Sequence, residues 1–80
     1  MKEIFETIRH IIAEETGIEE EDIKPGSDLA DDLNLDPLEV SDLLLAVEEK
    51  YKLESLAISP EEVGTVAELV SIVQEELNEI

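Results

Sequence analysis

Asp32, Asn34 and Asp36 alternate along the stretch DLNLDPLEV, placing oxygen-bearing side chains at every second position. The first ligands of a helix–loop–helix calcium site are spaced this way. The pattern then breaks. The sharp turn after the third ligand needs glycine, and Pro37 stands there. The bidentate glutamate that closes such a loop falls at Leu43, an apolar residue in a periodic run. No dedicated metal site is expected. The single histidine, His10, sits at the edge of an apolar stripe without a ligand or nucleophile beside it, and is read as a surface residue. The chain has no cysteine, which removes thiolate catalysis, disulfides and cysteine-based zinc sites. No nucleophile–base set is evident, so no catalytic residue is assigned and an enzyme is not expected.

The same stretch reads well as the start of a helix. Asp36 suits the N-cap, where its carboxylate accepts amide hydrogens from the first turn. Pro37 suits the first helical position, where a missing N–H costs nothing. Glu39 places a negative charge at the positive end of the helix.

Charge bounds the partners. The 80 residues carry 23 acidic and 5 basic side chains, a formal net charge of −18. Nucleic acid and anionic membrane surfaces repel such a chain, and its partners are expected to be basic where they touch it. A hydrophobic fraction of 42% with regular periodicity argues against disorder. The length suits one domain over residues 1–80. No apolar run is long enough to span a bilayer, and the charged start MKEIFETIRH is not a secretory signal. A cytoplasmic monomer is expected.

Three helices must position these residues. Ile4, Phe5, Ile8, Ile11 and Ile12 form one stripe of a first helix from about Lys2 to Thr16, stopped by Gly17. A long connection follows, with a turn at Pro25 and Gly26 and apolar anchors at Ile18, Ile23, Leu29 and Leu33. The second helix is predicted from Asp36 to about Tyr51. Val40, Leu43, Leu44, Val47 and Tyr51 make its main stripe, and Leu38 with Leu45 a flanking one. Apolar residues thus cover much of this helix, which predicts a central, widely buried element. A short helix is predicted at Ser59, Pro60, Glu61 and Glu62, ended by Gly64. The last helix starts at Thr65, spaced with Glu68 as a capping box, and buries Val66, Leu69, Val70, Val73 and Leu77. The fold class is all-α: a small bundle of three main helices plus one short helix, with a long first loop.

The run DLNLDPLEVSDLLLAVEEKYKL resembles the signature region of acyl carrier proteins. That family has an acidic–Leu–Gly–x–Asp–Ser–Leu motif at the start of its second helix. Asp32 and Leu33 match the opening pair, Asp36 the aspartate and Leu38 the leucine. Glu39, Asp42, Glu48 and Glu49 fall at the family's acidic positions, and Tyr51 at its aromatic one. SDLADDL and TVAELVSIV resemble the stretch before the motif and the terminal helix. Asn34 replaces the usual glycine, a mild change because asparagine tolerates a left-handed backbone. Pro37 replaces the serine.

The resemblance implies a four-helix acyl-carrier fold that serves fatty-acid, polyketide or related lipid synthesis. It implies 4′-phosphopantetheine on the serine hydroxyl, with cargo carried on the arm as a thioester. Position 37 would be the attachment point, flanked by Asp36 and Leu38. Glu39, Val40, Asp42, Glu48 and Glu49 would dock on basic patches of acyl-transferring or synthase enzymes and of a phosphopantetheinyl transferase. Proline has no hydroxyl, so the arm is expected to be absent from this chain. Ser41 is a weak alternative attachment point, and Ser27, Ser55, Ser59 and Ser71 are weaker. Pro37 is either a substituted residue at an ordinary carrier site or part of a natural arm-less protein that works by docking alone.

Overall fold

The computed structural model describes residues 2–53 and 60–78. Three α-helices carry the fold: α1 (Lys2–Thr16), α2 (Pro37–Tyr51) and α3 (Val66–Asn78). Two single 3-10 turns, Glu20–Asp22 and Pro60–Glu62, lie in the connections. The short helix expected around Pro60 is the second of these turns. The capping role expected of Ser59 lies outside the described residues.

Each helix boundary has a local cause. Gly17 ends α1 with a φ of 82°, and its N–H bonds to the Ala13 carbonyl at 2.8 Å. Only glycine adopts that backbone at no steric cost. Thr65 caps α3: its hydroxyl accepts the Glu68 N–H at 3.2 Å. Glu68 Oε1 in return accepts the N–H groups of both Thr65 and Gly64 at 2.9 Å. α2 ends on Lys52 in the left-handed region, φ 56°. Its N–H and that of Leu53 return to the carbonyls at the end of the helix.

The core is aliphatic, with Ile8 and Ile12 of α1, Leu43 and Val47 of α2, and Val66, Leu69 and Val73 of α3 at its centre. α1 packs against both other helices, whereas the backbones of α2 and α3 do not closely approach. The first loop fills the space between. Its anchors Ile23, Leu29 and Leu33 are buried, and so is Leu35. Burial of each such side chain contributes on the order of 1.5–3 kcal/mol. Backbone hydrogen bonds pin the loop to the start of α3: Leu29 N–H to the Gly64 carbonyl, Val66 N–H to Ser27, and Ala67 N–H to Pro25, at 2.9–3.1 Å. The long connection is thus a structural layer of the bundle.

One expectation fails. Leu38 and Leu45 do not form a second buried stripe; they are 72% and 60% exposed. Among the described residues, α1, the first loop and the Pro60–Glu62 turn cover one side of α2 and leave Leu38 and Leu45 to solvent.

Candidate functional site

The stretch around position 37 is held from both sides. Upstream, the loop winds a tight turn whose carboxylates serve the backbone. Asp28 Oδ1 accepts the N–H groups of Ala30 and Asp31 at 3.0 and 2.9 Å, and Asp32 Oδ2 accepts that of Asp28 at 2.7 Å. Asn34 then takes a φ of 59°, the left-handed backbone for which asparagine is suited. Leu33 and Leu35, on either side of it, are both buried. Downstream, Asp36 caps α2. Its Oδ1 accepts the Glu39 N–H at 2.8 Å, and Glu39 Oε1 accepts the Asp36 N–H at 3.1 Å. This reciprocal capping box uses Asp36 and Glu39 locally. Leu43, where a calcium loop would need its glutamate, is 1% exposed in the core. Among the described residues no group of three metal-ligating side chains could hold an ion.

Pro37 occupies the first helical position and is exposed. It lines a cavity of about 230 Å³ with Leu29, Leu35, Val40, Pro60 and Val63. Val40 is 5% exposed; its side chain belongs to the core and this cavity wall. That corrects its assignment as a docking residue, because a helix three residues past Pro37 turns inward onto the loop. Ser41, one turn beyond Pro37, is partly buried within the helix. Ser27 is buried, and its Oγ accepts the Lys24 N–H at 3.0 Å. Ser71 is exposed on α3. Ser55 and Ser59 lie outside the described residues.

The solvent side of α2 carries a pattern that hydropathy had obscured. Leu38, Asp42, Leu45 and Glu49 are all exposed. Their spacing of four, three and four residues places them on one stripe of the helix. Apolar and acidic side chains alternate along it, opposite the buried stripe of Val40, Leu44 and Val47. Glu48 is partly buried at the edge. Asp42 and Glu49 lie on the surface expected of them, whereas Leu38 and Leu45, expected inside, lie beside them. The available signal was their spacing with those two acids.

A sequence profile described as a phosphopantetheine attachment site matches residues 6–73. The acyl carrier protein of Coprothermobacter proteolyticus is 36% identical over 76 residues, covering 95% of this chain and 93% of the relative. The chain belongs to the acyl carrier protein family. Two further acyl carrier proteins agree. That of Chlamydia muridarum is 32% identical, covering 89% of this chain and 92% of its own length. That of Helicobacter hepaticus is 31% identical, covering 88% and 92%. The family carries 4′-phosphopantetheine, and its members are carriers rather than catalysts. The three-helix bundle, the layered first loop and the capped start of α2 are the acyl carrier fold in this chain. No helix among the described residues is long and apolar enough to cross a membrane.

Proposed function

We propose that this chain is an acyl carrier protein locked in an unmodified form, whose remaining function is to dock on partner enzymes. The observation that carries the reading is Pro37, which stands between Asp36 and Leu38 at the first position of α2. A phosphate ester needs a hydroxyl, and proline has none. Anions bind helix N-termini through free amides and the positive dipole end, and Pro37 also withholds an amide from that position. Ser41 is an unsuitable substitute, since it lies inside the helix and is partly buried. The residues present therefore do not fit the arm, and no transfer step is assigned to this chain.

Docking is supported by the stripe of Leu38, Asp42, Leu45 and Glu49. Its leucines would seat in apolar hollows of a partner while its acids face basic residues, which steers encounter and fixes orientation. Partners of that chemistry are the basic patches of acyl-transferring or synthase enzymes and of a phosphopantetheinyl transferase. In this reading the chain is a non-catalytic cytoplasmic monomer. Glu39 supports the surface by capping the helix, so its reversal would confuse docking with folding.

Mass spectrometry after incubation with coenzyme A and a phosphopantetheinyl transferase tests the unmodified state. Calorimetric titration with the same transferase tests docking. Asp42→Lys with Glu49→Lys should weaken binding at least tenfold and leave the helical content unchanged. Binding that survives both reversals removes the stripe from consideration.

A further inference from the structure

His10 belongs to a cluster that the α2 surface does not use. The reversal at Gly17 returns the 3-10 turn Glu20–Asp22 alongside α1. His10 Nδ1 lies 3.1 Å from Glu20 Oε2, and His10 Nε2 lies 3.5 Å from Glu14 Oε2. Both ring nitrogens therefore face carboxylates. A neutral imidazole has one N–H; it can donate to one carboxylate and must turn a lone pair toward the other. Only the imidazolium satisfies both. With the carboxylates on opposite edges of the ring, the three groups do not converge on one point as metal ligands would.

Glu20 has a second cation. Its Oε1 is 3.7 Å from Arg9 Nε, and the Arg9 guanidinium sits over the Phe5 ring at 5.1 Å. One of the two cations holding Glu20 is permanent and the other titrates. From α2, Lys50 opposes protonation of His10. Glu3, Glu6 and Tyr51 line the same hollow between α1 and α2.

We propose that His10 is a pH-operated latch that ties the first loop to α1. Protonated, it bridges Glu14 and Glu20 and holds the 3-10 turn. Deprotonated, it can hold only one of the two carboxylates and brings no charge, so the permanent cation facing Glu20 is then Arg9. The tied turn leads directly into the buried anchor Ile23, so the latch sets the local order of the turn and of that junction. The hydrogen bond that the ring donates to Glu20, then the charge of Glu14, raises the His10 pKa above its usual 6.5. By linkage, the contribution is complete below that ordinary value and is lost as pH rises through the raised one.

The test follows the ring resonances of His10 by NMR, together with hydrogen-exchange protection of Asp22 and Ile23. Their amides close the 3-10 turn on the Glu19 and Glu20 carbonyls. Parent, His10→Gln and Glu20→Gln are compared between about pH 5.5 and 8.5, the range spanned by histidine titration. In the parent, protection should fall by roughly two- to fivefold as the ring deprotonates, the scale of an exposed ion pair. The glutamine variant at position 10 should show no such fall, and Glu20→Gln should lower the His10 midpoint. A parent midpoint at or below the ordinary value would overturn the latch. So would identical protection profiles in parent and His10→Gln.

Discussion

Replacing Asp36 tests whether the start of α2 is held by its cap or by charge. Asp36→Ala removes the oxygen that accepts the Glu39 amide at 2.8 Å. Loss of an N-cap costs about 0.5–2 kcal/mol. Asp36 is exposed, so water replaces part of the lost hydrogen bond. The Glu39 carboxylate also remains near the helix start. Both place the expected loss near the middle of that range, about 1 kcal/mol. An opposing effect comes from the net charge of −18, because removing one acid relieves repulsion. A like-charge neighbour at about 8 Å contributes roughly 0.5 kcal/mol in water before screening, and moderate salt suppresses it. Urea unfolding in moderate salt, followed by circular dichroism, should show a lower midpoint with an unchanged slope. The melting temperature should fall by about 4–8 °C for a domain of this size. Asp36→Asn keeps the acceptor and loses the charge, and asparagine caps as well as aspartate. It should stay within about 0.5 kcal/mol of the parent. If Asp36→Asn falls as far as Asp36→Ala, or if Asp36→Ala costs nothing, the capping argument is wrong.

Other substitutions probe the backbone, the core and the exposed stripe. Lys52 sits at φ 56°, so Lys52→Gly should raise stability by about 0.5–1 kcal/mol in urea unfolding, relief of left-handed strain exceeding the entropy cost of glycine. Asn34→Val should lower it by about 1–2 kcal/mol, because a β-branched residue resists that backbone. Leu69 is fully buried, and Leu69→Ala should cost about 2–5 kcal/mol in the same assay. Leu38→Glu and Leu45→Glu lie on exposed positions, so each should change stability by less than about 0.5 kcal/mol while weakening transferase binding in calorimetry.

The stripes of α1 and α3 and the caps at Asp36 and Thr65 were legible because each depends on residues within a few positions of one another; the left-handed backbone at Asn34 was suggested only by the family's glycine there. What was not legible depends on which surfaces meet. Leu38 and Leu45 repeat at helical spacing as core residues do, and hydropathy alone does not say that the bundle leaves that side of α2 bare. Val40 was read both into the main stripe of α2 and into the docking set, and the structure buries it with Leu44 and Val47. His10 has a partner ten residues away in Glu20, which only the reversal at Gly17 makes visible. Leu35 escaped notice for a related reason. It lies in an irregular loop with no period to mark it, next to the left-handed Asn34, and is buried along with Leu33.

The central claim is that Pro37 alone separates this fold from its family's chemistry. Pro37 is exposed at the first turn, so Pro37→Ser should fold, losing at most about 1 kcal/mol of unfolded-state restriction. Intact-mass spectrometry after incubation with coenzyme A and a phosphopantetheinyl transferase should show the parent unchanged. Pro37→Ser should gain one arm, and should still gain it when Ser41 is replaced by alanine. An arm on the parent chain, or none on Pro37→Ser, would contradict the account.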